Sequence, residues 1–206
     1  MVYPILKLTA FPFLKLFIKE LTGLENIPKK GPFIIASNHN SYLDPLIICS
    51  VVIPKINNKI HFIAIRDGAK RNFWALGDLI SRKWAGCIPL DKKDRGEGAL
   101  KEAMNLLKNN GIVALFPEGE LTKKETEPRT GAVRLALGSK ATIVPVYLEG
   151  TAEILPPLKL IPKRIKRIIR IKIGKPIDLS KNNKTRKKDL RCITEIVMKE
   201  VYNLAK

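Results

Sequence analysis

Six short apolar runs, alternating with helix-patterned stretches, constrain the fold of this 206-residue chain more than any other feature. They are PFIIAS (32–37), KIHFIAI (59–65), CIPL (87–90), GIVALF (111–116), TIVPVYL (142–148) and RIIRIKIG (167–174). Helical patterns fall near 42–52, 70–80, 95–109, 130–139 and 185–204. Repeated βα units of this kind build a largely parallel sheet, and helices on both faces are the simplest cover for strands this apolar. The expected fold is α/β, a single-domain αβ sandwich over residues 24–206. A chain of this length suits one core, and no repeat, linker or low-complexity segment divides it.

Within MVYPILKLTAFPFLKLFIKEL, apolar residues cover most of the circumference of residues 5–21. Lys7, Lys15 and Lys19 fall inside an arc of about 120° at about 100° per residue. The pattern predicts an N-terminal interfacial amphipathic helix, with residues 1–23 as its unit. Its lysines would snorkel to anionic headgroups and Pro12 would bend it. The alternative is a helix packed on the domain's own core. Lysines interrupt the apolar run and no small-residue cleavage site follows, so the segment reads as retained rather than as a signal peptide. Nowhere does the chain reach the roughly 18 uninterrupted apolar residues of a spanning helix.

Lysine and arginine number 38 against 19 acids, a net charge of +19. Such a field draws a protein toward anionic lipid, nucleic acid or an acidic partner, and charge alone does not choose among them. Fourteen of the cations lie within residues 159–191 against only Asp178 and Asp189, a local net of +12. No helix-turn-helix, zinc-finger or RNA-recognition signature accompanies them, and aromatic residues do not interleave with the run, so a nucleic-acid-binding protein is the remote alternative. Cys49, Cys87 and Cys192 lack a C-x-x-C pairing, which suggests neither a disulfide framework nor a zinc site and fits a reducing compartment.

SNHNSYLDPL (37–46) brings His39 to the carboxyl end of a predicted strand, the edge at which open α/β sheets bind ligands. An imidazole takes a proton from an alcohol near neutral pH when a carboxylate receives its other N–H. Asp44, in the first turn of the following helix, is placed to be that carboxylate. Ser41-x-x-Asp44 ahead of an apolar run is equally a capping box, which by itself accounts for Asp44, and spacing leaves both readings open. FPEGE (116–120) follows another apolar run onto the same predicted edge. There Glu118 would orient a substrate hydroxyl and Gly119 would admit a ligand close to the backbone, unless the segment is only a reversing turn. GCIPLDK (86–92) leads into Lys92, Lys93 and Arg95, where Lys92 or Arg95 would hold a phosphate unless the run is a solvated face.

NHNSYLD (38–44), GCIPLDK (86–92), FPEG (116–119) and IVPV (143–146) follow the order and approximate spacing of the four blocks of the glycerolipid acyltransferase family. The chain resembles that family's 1-acyl-sn-glycerol-3-phosphate acyltransferase branch over about residues 30–150. The resemblance implies that His39 and Asp44 form an H-x-x-x-x-D catalytic pair. It further implies that Glu118 and Gly119 belong to the acceptor site and that Pro145 lies near the acyl-donor site. Asn38 and Ser41, inside the first block, count with the substrate-binding residues. Two departures stand out. Lys92 occupies an arginine position, supplying a point charge without a planar fork. Glu120 and Leu121 replace a Thr-Arg pair, leaving Arg129, Arg134, Lys123 or Lys124 to substitute for the second arginine.

The implied reaction moves a fatty acyl group from an acyl-CoA or acyl carrier protein thioester to the free hydroxyl of lysophosphatidate, with no metal and no further cofactor. Another lysolipid or glycerol 3-phosphate is the alternative acceptor, and a hydrolytic or non-catalytic relative a further reading. A thioester is already activated, so no side-chain nucleophile is needed. Cys49 within LIICSVV and His61 within its apolar strand read as core. The expected partners are an anionic membrane surface, a lysophospholipid, an acyl thioester and an acidic acyl carrier protein. The expected location is the cytoplasmic face of the cell membrane, peripheral or monotopic.

Overall fold

A computed structural model describes residues 7–65, 86–91, 93–119, 121, 127–157, 163, 166–181 and 186–206. Its seven-stranded sheet comprises β1 (Ile18–Thr22), β2 (Phe33–Ser37), β3 (Ile60–Ile65), β4 (Ile88–Leu90), β5 (Ile112–Leu115), β6 (Thr142–Glu149) and β7 (Ile169–Ile173). The spatial order is β1-β7-β6-β2-β5-β3-β4, and every neighbouring pair is parallel except β6 with β7. The described helices are α1 (Ala10–Lys15), α2 (Asp44–Ile56), α3 (Glu97–Lys108), α4 (Gly131–Ser139), α5 (Thr151–Ile154) and α6 (Lys187–Asn203). All six expected strands form within two residues of their predicted bounds. The helical pattern near 70–80 lies outside the described residues.

The strands alternate their side chains between two apolar layers. Phe33 and Ile35 of β2, Ala114 of β5 and Val144 of β6 face a layer closed by α2 through Ile47, Ile48, Val51 and Val52. Ile34, Ala36, Val113 and Ile143 face the other, closed by α3, α4 and α6. Alanines at 99, 103, 132 and 136 bring α3 and α4 close to that face, and a fully buried isoleucine or phenylalanine contributes about 1.5–3 kcal/mol. The two-sided burial that the apolar runs implied is thus what holds the parallel strands in place.

The N-terminal expectation is corrected by the sheet. The helix predicted over 5–21 stops at Lys15, and Ile18–Thr22 is instead β1, paired with β7 through Leu21 and Ile171. Residues 1–23 are therefore not one helical unit. β1 is an edge strand in which only Ile18 is buried, and edges tolerate the charged residues that made this stretch read as the polar stripe of a helix. α1 and its flanks divide their apolar side chains between the core and the surface. Phe11 and Phe17 are buried in the domain core, whereas Leu8, Phe13 and Leu16 are 82%, 57% and 67% exposed. No helix of the described residues is long and apolar enough to cross a membrane.

Candidate active site

β2 and β5 leave the sheet side by side, because Ala36 is in register with Leu115. One to three residues past the strand ends, His39 from β2 and Phe116 with Glu118 from β5 meet at the carboxyl edge. The rings of His39 and Phe116 stack, with centroids 3.9 Å apart and planes 12° off parallel. Phe62 of β3 lies behind Phe116 at 6.0 Å. His39 donates its backbone N–H to Glu118 Oε2 at 3.0 Å, so the carboxylate after β5 clips the chain leaving β2.

Asp44 holds the imidazole from the other side. His39 Nδ1 lies 2.8 Å from Asp44 Oδ2, which also accepts the backbone N–H groups of Asn40 at 2.7 Å and Ser41 at 2.8 Å. A carboxylate oxygen gathering two backbone donors acts as acceptor toward the ring as well, so Nδ1 carries the proton and Nε2 keeps its lone pair. Asp44 is fully buried, and its Oδ1 has no hydrogen-bond partner among the described residues. The bond from Ser41 N–H fastens the loop that precedes α2, whose N-cap is Leu43 with no side-chain cap. A single oxygen thus ties the loop after β2 and orients the imidazole, and the capping box that Ser41-x-x-Asp44 offered does not form, because Ser41 Oγ turns to Leu155 O and Leu43 N–H.

Asn38 and Ser41 are committed to the scaffold. The Asn38 amide exchanges two 2.8 Å bonds with the backbone of Leu148, extending the β2–β6 ladder with a side chain in place of a peptide. Asn38 is only 2% exposed. Ser41 Oγ donates to Leu155 O at 2.6 Å and accepts Leu43 N–H at 3.1 Å.

Gly119 adopts φ +83°, a left-handed conformation natural to glycine, and a Cβ there would sit 2.6 Å from Arg129 Nε. Arg129 folds back over the turn through its own N–H, which bonds Pro117 O at 2.7 Å. It is exposed and has no ion-pair partner among the described residues. Arg134 is not available to the site, because Glu97 takes both of its terminal nitrogens at 2.9 and 3.1 Å. Lys92, Lys123 and Lys124 lie outside the described residues. Arg95 is exposed in the turn after β4, two strands from β5. Pro145 is buried in β6 opposite Ala36, its ring close to Gly174.

Two thiol and imidazole groups outside this cluster take no part in it. Burial among apolar side chains pushes the Cys49 thiol up to about 12, leaving it almost wholly protonated at neutral pH and a poor nucleophile. Desolvation and the Lys59 charge lower His61, which stays in its strand away from the edge cluster. One contact escaped sequence reasoning altogether. Tyr202, near the end of α6, donates its phenol O–H to Glu118 Oε1, and no local pattern links positions 84 residues apart.

The profile of the Acyltransferase family matches residues 19–149. The chain is 30% identical over 126 residues to the 1-acyl-sn-glycerol-3-phosphate acyltransferase of Bacillus subtilis (strain 168), covering 61% of this chain and 60% of that one. It is 31% identical over 156 residues to the chloroplastic 1-acyl-sn-glycerol-3-phosphate acyltransferase LPAT1 of Arabidopsis thaliana, covering 72% and 40%. The crystal structure of the 1-acyl-sn-glycerophosphate acyltransferase PlsC from Thermotoga maritima superposes with a TM-score of 0.68 at 25% identity, over 97% of this chain and 75% of that one. The chain thus spans about 40–60% of the length of these two sequence relatives.

Asp44→Asn tests the shared oxygen without any assay of turnover. It is expected to cost on the order of 1 kcal/mol of stability through the weakened bonds to the Asn40 and Ser41 N–H groups. It should also move His39 away from the Nδ1–H tautomer, as read by ¹⁵N chemical shifts of the ring. A ring that keeps its tautomer in this variant would show that Asp44 does not set it.

Proposed function

Because the chain belongs to the acyltransferase family, we propose that it transfers a fatty acyl group from an acyl thioester to the free hydroxyl of a lysophosphatidate, producing phosphatidate for phospholipid synthesis. The observation that carries this reading is the 2.8 Å contact between His39 Nδ1 and the buried Asp44 carboxylate, which leaves Nε2 as a base at a sheet edge. Two relatives named for that activity support the choice of acceptor.

In the proposed step Nε2 takes the acceptor's hydroxyl proton as that oxygen attacks the thioester carbonyl. The imidazolium so formed is stabilised by Asp44 across the existing hydrogen bond. A C–O bond forms, the C–S bond breaks as the tetrahedral intermediate collapses, and the proton passes from Nε2 to the departing thiolate. Phe116 keeps the imidazole in one plane by stacking, so the base needs no reorientation between the two proton transfers. The donor is coenzyme A or acyl carrier protein, both of which present a thioester.

The phosphate of the acceptor needs a cation near this edge. Lys92 follows β4 at the family's arginine position, and Arg129 lies over Gly119. We assign phosphate recognition to this pair. The membrane reading is supported by exposed Leu8, Phe13 and Leu16 on and beside α1, with Lys15 among them, and by Tyr42 and Leu46 close to His39 in sequence, 47% and 51% exposed. Apolar side chains that enter the headgroup region beside lysines bind anionic bilayers through both terms. The cytoplasmic face of the membrane, rich in anionic lipid, is the proposed location.

Three outcomes are expected. His39→Ala should lower acyl transfer by at least 10²-fold with the fold kept, within the range of general-base catalysis. Retention of a tenth of the rate would remove His39 from the chemistry. Lys92→Ala and Arg129→Ala, assayed across a panel of lysophospholipids and glycerol 3-phosphate, should each raise the KM for lysophosphatidate about 10-fold or more while leaving the donor's unchanged. Variants that use lysophosphatidate as well as wild type does would place phosphate recognition elsewhere and make a phosphate-free lysolipid the better acceptor. Finally, Phe13→Asp with Leu16→Asp should release the protein from anionic vesicles without lowering its melting temperature. Undiminished vesicle binding would shift the anchor to the basic residues of 159–191.

A further inference from the structure

We propose that Tyr202, on the C-terminal helix, is a positioning residue for the base, acting on His39 through Glu118. The carboxylate of Glu118 is held at both ends. Oε1 accepts the phenol O–H of Tyr202, and Oε2 accepts the backbone N–H of His39 at 3.0 Å. Three segments far apart in sequence, the ends of β2, β5 and α6, are joined by that one group.

Each anchor of this bridge is itself rigid. α6 buries Ile193, Val197, Met198 and Val201 against the domain, so the backbone that carries Tyr202 is fixed by apolar packing. The phenol ring meets Tyr147 of β6 edge to face, with centroids 6.3 Å apart at 65°. Beyond it, Leu204 packs within 3.4 Å of a Cβ built on Gly174, whose N–H bonds Pro145 O at 2.9 Å. A tyrosine has two side-chain torsions to fix, and its packed ring delivers the hydroxyl to a defined point at little entropic cost.

Glu118 lies on a turn, between the hydrogen-bonded Phe116 and Gly119, and its long side chain has several staggered arrangements open to it. The observed one brings Oε2 to His39 N–H. The Tyr202 hydroxyl selects that arrangement by engaging the other oxygen, because both bonds to a carboxylate are charge-assisted. The consequence reaches the base. The ring of His39 is set by Asp44 and Phe116, but its backbone is set by Asn38 on one side and Glu118 on the other, and a small displacement of a catalytic group is enough to slow a reaction.

The role in turnover rests on the acyl-transfer reading, whereas the effect on His39 does not. The decisive variant is Tyr202→Phe, which keeps the ring contact with Tyr147 and removes only the hydroxyl. The first measurement is NMR hydrogen exchange of the His39 backbone amide. We expect exchange to quicken about 5–10-fold as Glu118 loses the Tyr202 hydroxyl, with the melting temperature unchanged. An unaltered exchange rate overturns the proposal whatever reaction the protein catalyses. The second is steady-state kinetics with the acceptor that wild type uses best. kcat should fall about 3–10-fold with both KM values unchanged, and on a Glu118→Ala background Tyr202→Phe should add less than about 2-fold, since groups acting through one another are not additive. Wild-type kcat in the single variant, or full additivity in the double, overturns the positioning role. Wild-type protein that acylates no acceptor sinks the functional reading instead, and the exchange rate still decides whether Tyr202 positions His39.

Discussion

The parallel register of β2 with β5 is the constraint on which the site depends. With Ala36 beside Leu115, the two chains cross the carboxyl edge of the sheet about 4.8 Å apart. At that spacing an imidazole three residues past Ala36 stacks on a phenyl ring one residue past Leu115, and a glutamate two residues further reaches the histidine's own backbone. A slip of one residue would turn β2 inside out, sending Ile34 and Ala36 toward the layer that Phe33 and Ile35 occupy. The two apolar layers forbid that slip. Hydrophobic burial in the middle of the sheet therefore sets a polar geometry at its end.

Asp44 shows how stability and function share one atom. Its Oδ2 gathers two backbone N–H groups and the imidazole, and the first two tie the loop after β2 to the start of α2. The buried Oδ1, without a partner among the described residues, is a local cost. Natural chains accept such costs where the geometry of a site requires them. Asn38 makes a similar trade in reverse. A side chain that a strand-end motif offers to a ligand is spent on Leu148, and His39 gains a fixed point of departure from the sheet.

Charge is distributed by the fold in a way that composition conceals. Arg134, near the FPEG segment in sequence, is bound to Glu97, whose carboxyl its guanidinium holds below the usual range. Arg129 has no such partner among the described residues and stays against Gly119. Arg170, in the basic C-terminal third, pairs with Glu149 across the β6–β7 ladder and approaches Glu20 of β1 at 3.6 Å. Part of the net charge therefore fastens the antiparallel β6–β7 pair and the β1 edge beside it.

The amino-acid sequence by itself determined six of the seven strands, the helices α2, α3, α4 and α6, and the segments that carry His39, Asp44 and Glu118. Apolar periodicity and motif spacing are short-range signals, and those elements are specified by short-range patterns. It could not reveal β1, because an edge strand buries one residue, Ile18, and its lysine and glutamate imitate the polar stripe of a helix. Nor could it separate a capping aspartate from an imidazole partner, since both need the same spacing and only the folded loop brings three donors to one oxygen. The link from Tyr202 to His39 was decided entirely by tertiary structure. It exists because α6 packs its apolar face on the β6 side of the sheet and ends where β2 and β5 end, and no pattern within either segment encodes where two distant segments meet.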